Sequence, residues 1–380
     1  MTKLTRRQIL IGGGALAASG LISAIPRTPL TPQMQLMSNA LAADIPRPDY
    51  MIRLMANENP YGPSRVALKA VNANLHLLNR YSGDYRPLVK VLADINGVST
   101  DNVVVGTGST EILRIAGMLA ASNNGSIVCA DPTYQDLLNH AEMHGAEIIR
   151  VPVDENLTFD LEAMAAAVRS DTAMIYLVNP NNPIPTVMNK DAMRNFVLEM
   201  SKERLVFIDE AYHEFVDNPE YESMMGLVAA GHKNIIVART ASKIHGLAGM
   251  RIGFGFAHPE LAEKMRGMKT GETHVLAIAA AYASYLDPEF PKFVIRKNKE
   301  SRAIVENMCE ELGLRYIESN ANFTFIQTGM ENAKYQEQMH QYGILTGRDF
   351  PPYHSTWSRI SMSKPEEMEY YVQVHKRLFG

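Results

Sequence analysis

The feature that most constrains this chain is an alternation of short apolar segments with segments of helical periodicity, which runs from residue 102 to residue 256. Buried strands separated by helices form a mostly parallel sheet with helices on both faces. We therefore predict an α/β fold whose large domain has a mostly parallel, seven-stranded-type sheet. The predicted strands are 102–105, 126–130, 146–153, 173–178, 205–208, 235–238 and 252–256.

A different pattern follows Gly271. Two predicted strands, 323–327 and 358–362, lie among long segments of helical periodicity. A mixture of this kind is typical of a smaller α+β domain. The predicted helices of this part are 276–286, 293–312, 336–342 and 366–378.

The N-terminal residues predict export. Arg6 and Arg7 precede a glycine- and alanine-rich apolar run to about Ile25, and Ala40-Leu41-Ala42 fits a small-x-small cleavage site. Twin arginines before such a run are typical of a twin-arginine export signal, and the run is short for a membrane span. We predict a periplasmic or otherwise exported protein without stable membrane association. The alternative is a disordered N-terminus with a chance arginine pair.

These patterns together predict four segments of the chain. They are a signal peptide at 1–42, an N-terminal arm at 43–75, a large domain at 76–275 and a small C-terminal domain at 276–380.

Composition narrows the class of protein. The chain has 380 residues and a net charge of -4, so it is long enough for two lobes and lacks the basic excess of a nucleic-acid-binding protein. Cys129 lies in an apolar run, and Cys309 is the second of two cysteines. We expect a buried thiol at Cys129 and no disulfide framework. No metal site is predicted.

Polar side chains follow the ends of several predicted strands. Ligands bind beyond the carboxyl ends of the strands in such sheets, so these side chains predict a site. Lys243 is the candidate for Schiff-base chemistry, because a partly desolvated lysine with a cationic neighbour loses its proton readily. The alternatives are a surface-turn lysine, a helix-capping aspartate at Asp209 and a core aromatic at Tyr134. The strand-end residues are Tyr134, Asn182, Asp209, Tyr212 and Lys243.

A glycine-hydroxyl turn, Gly106-Thr107-Gly108-Ser109-Thr110-Glu111, lies between strand 102–105 and a predicted helix at 112–121. The free N–H groups and the positive dipole end of a helix start can bind a phosphate, and a glycine permits close approach. The turn therefore predicts a phosphate cradle in principle. The alternative is that Ser109 or Thr110 only caps the helix.

Eight motifs follow one another in a characteristic order. They resemble those of the fold-type I, class I/II aminotransferases that use pyridoxal 5'-phosphate, and among these the histidinol-phosphate aminotransferase-like group. The resemblance covers nearly the whole mature chain and implies an aspartate aminotransferase-like fold. The motifs are Asn57-Glu58-Asn59-Pro60-Tyr61-Gly62, Asn79-Arg80-Tyr81, Gly108-Ser109-Thr110-Glu111, Pro132-Thr133-Tyr134, Asn179-Pro180-Asn181-Asn182-Pro183, Asp209-Glu210-Ala211-Tyr212, Ser242-Lys243 with Gly246-Leu247-Ala248-Gly249-Met250-Arg251, and Ser358-Arg359-Ile360-Ser361.

The resemblance implies catalytic roles for three residues and cofactor contacts for two more. Lys243 would form the Schiff base and later shuttle the substrate α-proton. Asp209 would face the pyridine nitrogen and keep it protonated. Tyr212 and Asn182 would bond the phenolic oxygen of the ring, and Tyr134 would stack on its face.

The resemblance also implies residues that bind the phosphate and the substrate. Tyr81 would reach the phosphate bound by a partner subunit, which requires a homodimer. Arg359 would clamp the substrate α-carboxylate; the alternative is a solvent-exposed edge-strand arginine. Tyr61 would also contact substrate, and Arg348 lies near where relatives recognise a distal acidic group. The remaining phosphate-binding candidates are Ser109, Thr110, Thr240, Ser242 and Arg251.

Two positions depart from the family pattern. Ile184-Pro185 replaces the usual Thr-Gly, so we expect a reshaped turn after Asn182. His245 stands where relatives often have an aromatic residue; it either contacts the substrate or cofactor or serves packing.

The resulting prediction is an exported, pyridoxal-phosphate-dependent aminotransferase that moves an amino group between an L-amino acid and a 2-oxo acid. Export argues against histidine biosynthesis, a cytoplasmic pathway, so histidinol phosphate is not carried over as substrate. The alternatives are a lyase, decarboxylase or amino-acid oxidase that uses the same cofactor, and a non-catalytic two-lobed binding protein.

Overall fold

The structure is a computed structural model that describes residues 45, 47–81, 83–122, 124–351 and 356–380. Arg47–Gly380 clusters as one compact unit. The predicted signal peptide at 1–42 lies outside the described residues, and the domain boundaries at 75 and 275 stay predictions. Among the helices that the structure describes, none has the length and apolarity to cross a membrane.

A seven-stranded sheet lies at the centre of the fold. Its order is β2-β8-β7-β6-β5-β3-β4 in the numbering below. One strand is antiparallel to both of its neighbours, and the other neighbouring pairs are parallel. The predicted mostly parallel α/β sheet is thus confirmed. The strands are β2 (Val103–Gly106), β3 (Ser126–Asp131), β4 (Glu147–Pro152), β5 (Thr172–Val178), β6 (Leu205–Asp209), β7 (Ile235–Thr240) and the antiparallel β8 (Gly253–Ala257).

Successive side chains of these strands enter two apolar layers, one on each face of the sheet. In β2, Val103 and Val105 join one layer and Val104 joins the other, because side chains alternate along a strand. Cys129 of β3 lies in the second layer, and both Cys129 and Cys309 are buried free thiols. The predicted buried thiol is therefore present.

Helices cover both faces of the sheet. The helix that starts with Ser109 buries Ile112 and Ile115 in the second layer, whereas the helix from Arg86 buries Leu88 and Leu92 in the first. The helices are α1 (Arg65–Ala73), α2 (Arg86–Asn96), α3 (Ser109–Ala121), α4 (Asp136–Met143), α5 (Leu161–Ala166), α6 (Lys190–Met200), α7 (Met225–Ala229), α8 (Pro259–Gly267), α9 (Val275–Tyr285), α10 (Glu289–Leu312), α11 (Asn332–Gln341) and α12 (Pro365–Phe379).

The C-terminal part has an antiparallel sheet of its own, in the order β12-β10-β9. These strands are β9 (Tyr316–Ile317), β10 (Phe323–Gln327) and β12 (Trp357–Ser361). A further pair joins β1 (Ile52–Leu54) to β11 (Ile344–Thr346) in parallel. The sequence patterns did not predict that pair, because each strand has only three residues.

Candidate active site

A cavity of about 300 Å³ lies beyond the carboxyl ends of β5, β6 and β7. Two of the predicted site residues, Tyr61 and Tyr81, are not part of its lining. The cavity brings together the other predicted residues: Ser109, Thr110, Tyr134, Asn182, Asp209, Tyr212, Thr240, Ser242, Lys243, Arg251, Arg348 and Arg359.

The amine of Lys243 lies inside this cavity. Its Nζ donates to the carbonyl oxygen of Ala56 over 3.4 Å and lies 5.5 Å from the centre of the Tyr212 ring. Burial lowers the pKa of Lys243 to about 8, the Arg359 charge acts in the same direction, and the Asp209 carboxylate opposes both. The amine can therefore become a neutral nucleophile close to physiological pH, as Schiff-base chemistry requires.

Asp209 ends β6 and is only 3% exposed. Burial raises the pKa of its carboxyl to about 7, although the N–H of Ala211 donates to Oδ1 over 3.1 Å and the charge of Lys243 favours ionisation. The ionised form of a buried carboxyl with few hydrogen-bond partners is strongly stabilised by a cationic ring nitrogen beside it. This environment fits the pyridine nitrogen of pyridoxal phosphate.

The hydroxyl of Tyr212 accepts hydrogen bonds from two amides. Asn57 Nδ2 donates to it over 3.0 Å and Asn182 Nδ2 over 3.4 Å. Burial raises the pKa of Tyr212 to about 12, so its proton is retained and can be donated to an anionic oxygen. Tyr134 lies in the same cavity, and it is half-buried there.

The predicted phosphate cradle has the right backbone shape. Gly108 has φ +80°, and α3 begins after it without a side-chain cap, so Ser109 and Thr110 are the first helical residues. The guanidinium of Arg251 lies beside this turn; its Nη2 lies 3.4 Å from Thr110 Oγ1. Free N–H groups, hydroxyls and a cation converge there, which suits a phosphate.

Two close approaches maintain the shape of that cradle. A Cβ at Gly108 would lie 2.5 Å from Arg251 Nη2, and a Cβ at Gly253 would lie 2.1 Å from the backbone N of Ser109. Thr240 Oγ1 donates to Ser242 Oγ over 2.9 Å and places both hydroxyls at the cavity wall.

Arg359 of β12 is buried in the cavity wall. Its Nη1 donates to Asn182 Oδ1 over 2.6 Å, Nη2 donates to the carbonyl of Met55, and Nε has no hydrogen-bond partner among the described residues. Burial lowers the pKa of Arg359 to about 10. No carboxylate balances this guanidinium in the described part of the chain, so an incoming carboxylate would gain a charge-assisted bond.

Phe350 supports two cations at the substrate side. Its ring centre lies 4.8 Å from the guanidinium carbon of Arg359 and 4.9 Å from that of Arg348. Cation–π contact of this kind stabilises a guanidinium without neutralising it. Both arginines therefore stay available to anions.

Tyr61 and Tyr81 lie elsewhere. The Tyr61 ring contacts the Phe293 ring edge-on at 4.9 Å, and Tyr81 is 93% exposed. The role predicted for Tyr81 belongs to a partner's site, and it stays a prediction, as does the role of Tyr61.

Sequence reasoning missed the parts of the site that depend on distant contacts. The sequence identifies Asn57 only as part of a motif, yet its Nδ2 donates to the Tyr212 hydroxyl and its Oδ1 accepts from Ser361 Oγ over 2.7 Å. Its backbone φ of +53° is a conformation that asparagine tolerates, and the polar cluster around it was the available signal. Phe350 carried no such signal.

The reshaping expected for the turn after Asn182 stays a prediction, and Asn182 itself lies in the site. Ile184 is fully buried against Phe350, Phe325 and Trp357, and Asn182 still contacts both Tyr212 and Arg359. The substituted turn thus fills the space behind Phe350 with an apolar side chain.

His245 does not line the cavity. It is 3% exposed and its Nδ1 lies 2.8 Å from Ser284 Oγ, so it is a buried residue behind Lys243. Among the described residues, no cluster of histidine, cysteine and carboxylate side chains could hold a metal ion.

A half-buried lysine and a buried aspartate at neighbouring strand ends, with a phosphate cradle at the start of α3, define a pyridoxal-phosphate enzyme of fold-type I. The chain belongs to the aminotransferase class I and II family, whose pattern matches residues 49–374. It is accordingly a pyridoxal-phosphate-dependent aminotransferase of the histidinol-phosphate aminotransferase-like group.

Individual relatives agree with this assignment. The chain is 32% identical over 334 residues to a histidinol-phosphate aminotransferase of Moorella thermoacetica, covering 87% of this chain and 86% of that protein. An Akkermansia muciniphila histidinol-phosphate aminotransferase is 31% identical over 87% of this chain and 91% of its own length. The solved histidinol-phosphate aminotransferase of Sinorhizobium meliloti, in complex with pyridoxal-5'-phosphate, has a TM-score of 0.79 and 28% identity, covering 94% of this chain and 100% of its own.

Proposed function

We propose that this enzyme is exported and moves an amino group between an L-amino acid and a 2-oxo acid through Lys243. The observation that carries the proposal is the meeting of the Lys243 amine, the Asp209 carboxyl and the Arg359 guanidinium in one cavity. An amine, a carboxyl and a carboxylate clamp are the three protein groups that the reaction needs.

Pyridoxal phosphate, when bound, supplies an aldehyde for Schiff-base formation and a ring that withdraws electrons from the substrate α-carbon. Lys243 would supply the amine, and its Nζ would then accept and return the substrate α-proton. Asp209 would lie at the ring nitrogen and favour its protonated form, and Tyr212 would donate a hydrogen bond to the phenolic oxygen. Ser109, Thr110, Thr240, Ser242 and Arg251 would hold the phosphate, and Tyr134 would cover the ring face.

Arg359 would orient the substrate by its α-carboxylate, and Arg348 offers a second cation in the same cavity. This pair favours amino donors with a distal anionic group. The names of the relatives make L-histidinol phosphate one compound to compare with amino acids, but the predicted export argues against a place in histidine biosynthesis.

The export and dimer proposals rest on different residues. The twin arginines and the cleavage site support export, which cell fractionation tests: the mature protein should start near Ala43 and leave the cytoplasm. Leu75, Leu78 and Tyr81 are exposed near one another in sequence, and an exposed apolar group of this kind favours a second copy as partner. Sedimentation should show a homodimer.

A half-reaction screen tests the proposed reaction. The purified enzyme is mixed with single L-amino acids and L-histidinol phosphate, and the loss of cofactor absorbance is followed before and after adding 2-oxoglutarate. The proposal predicts conversion by a donor and recovery by the acceptor, with formation of an amino acid from that acceptor. Release of carbon dioxide, or a keto acid without amino transfer, would favour the decarboxylase or the lyase and oxidase alternatives.

A further inference from the structure

Two turns that carry catalytic side chains lie at the ends of neighbouring parallel strands. The turn after β6 carries Tyr212, and the turn after β7 carries Lys243. Two residues beyond each of these side chains stands an ionisable residue, Glu214 in the first turn and His245 in the second. The reaction depends on how these turns are held relative to each other.

His245 and Glu214 meet behind the cavity. The Nε2 of His245 lies 3.2 Å from Glu214 Oε1, its Nδ1 lies 2.8 Å from Ser284 Oγ, and its ring centre is 4.0 Å from that of Tyr285. Burial favours a protonated Glu214, yet the His245 and His213 charges bring the pKa of Glu214 below its usual value. The contact is thus a close polar approach that bridges the two turns, and Nε2 makes no hydrogen bond of standard geometry among the described residues.

On the side that faces Glu214, the Lys243 turn is not held by close packing. A separate cavity of about 170 Å³ borders His245, Glu214 and Arg239, so the Lys243 turn has room to move there. The opposite side of the turn is held firmly: Asn59 Nδ2 donates to the Ile244 carbonyl over 2.8 Å, and a Cβ at Gly246 would lie 2.1 Å from the Gly62 carbonyl oxygen.

We infer that His245, paired with Glu214, is a positioning residue that holds the Lys243 turn against the Tyr212 turn. It touches neither cofactor nor substrate and acts through Lys243. The inference rests on the proposed function of Lys243. An aromatic side chain at position 245 would keep the ring contact with Tyr285 and lose the polar contact with Glu214.

The test compares His245→Phe, His245→Gln and Glu214→Gln in the full chain, with His144→Phe, at the exposed residue that follows α4, as the matched control. A small displacement of a reacting group lowers the rate strongly, so His245→Phe should lower kcat about tenfold and leave KM nearly unchanged. His245→Gln, which keeps donors for Ser284 or Glu214, should restore most of the rate. His144→Phe should behave as the parent.

A second readout does not depend on turnover. In the cofactor-free protein, the pH dependence of reductive methylation at Lys243, read by peptide mass spectrometry, reports the pKa of its amine. The charges that act on Lys243 from the surrounding elements are Asp209, Glu58, Arg251 and Arg359, and none of them is changed by these variants. A loosened turn admits water, so the midpoint should rise by about one pH unit in His245→Phe and Glu214→Gln.

These measurements distinguish a failure of the role inferred for His245 from a failure of the function proposed for Lys243. If folded His245→Phe keeps both the parental kcat and the parental midpoint, the inference is overturned, even if Lys243 is confirmed as the Schiff-base residue. If the parent transfers no amino group, the proposed function fails, while the methylation midpoints still report on the turn. Should His245→Phe not fold, Glu214→Gln retains the side-chain volume and gives the same readouts.

The double variant His245→Phe/Glu214→Gln should be no slower than His245→Phe alone, and additive losses would contradict a shared contact.

Discussion

At the scale of single residues, burial is what turns ordinary side chains into a reactive set. Lys243 and Asp209 lie in the same cavity, and desolvation moves both pKa values towards neutrality, downward to about 8 for the amine and upward to about 7 for the carboxyl. The identities of these two residues were predictable from strand ends and motifs. Their pKa values were not, because they depend on the surrounding walls, including Arg359 from a strand far along the chain.

Asp209 also makes a prediction about stability. The folded cofactor-free chain binds the Asp209 proton more tightly than the unfolded chain does, so its contribution to stability falls as pH rises from 3.8 to about 7. Asp209→Asn should remove that fall, which amounts to roughly 4 kcal/mol at most. The matching change for Lys243 lies above pH 8 and leaves this window clear.

The measurement is urea unfolding of the cofactor-free protein at several pH values between 4 and 7. Asp94→Asn, on the exposed face of α2, is the control and should keep the parental slope. An equal slope in Asp209→Asn and in the parent would show that this carboxyl does not titrate as its burial implies.

At the scale of elements, the site depends on where strands end and helices begin. The long buried strands and α3 were predictable because their apolar periodicity is strong. The antiparallel direction of β8 was not, because a buried strand has the same apolar pattern in either direction. The pairing of β1 with β11 was not predictable either, since it joins three-residue strands through contacts between remote positions.

The start of α3 predicts how cofactor affinity divides between phosphate and ring. Arg251→Ala removes the cation beside Thr110, so the dissociation constant for pyridoxal phosphate should rise about ten- to a hundredfold. Binding of pyridoxal, which lacks the phosphate, should change little. Titration of the cofactor-free protein with each compound gives both constants.

Arg114 provides the matched control for this prediction. It is an arginine of α3 itself, away from the start of that helix, and it pairs with Asp136 at the surface. Arg114→Ala should bind both compounds as the parent does. Equal losses for pyridoxal and pyridoxal phosphate in Arg251→Ala would refute a phosphate role for this guanidinium.

At the scale of the whole molecule, one residue predicted to contact the cofactor, Tyr81, lies away from the cavity of its own subunit. Tyr81 is 93% exposed and does not line the cavity of its own subunit. The resemblance assigns it to a partner's phosphate. Sequence patterns could suggest this role but not test it, because the geometry between two copies is set by both surfaces together.

Mixed dimers test that assignment. Tyr81→Phe should weaken retention of pyridoxal phosphate, and Lys243→Ala should abolish turnover. In a dimer with one subunit of each kind, one site keeps both Lys243 and the partner's Tyr81. Refolding the two inactive or weakened variants together should therefore restore up to one native site per dimer, seen as cofactor retention at low concentration.

The mixing control is each variant refolded alone at the same total concentration. If the mixture never retains more cofactor than the Tyr81→Phe sample, Tyr81 and Lys243 do not act in one shared site. A monomer in sedimentation would contradict the assignment outright.

Every role described above depends on Lys243 being the lysine that holds pyridoxal phosphate. The most direct test is borohydride reduction of the enzyme with bound cofactor, followed by proteolysis and mass spectrometry of the labelled peptide. We expect one pyridoxyl group per chain on the peptide that contains Lys243, and none in Lys243→Ala. A label on a different lysine, or equal labelling of Lys243→Ala, would contradict it.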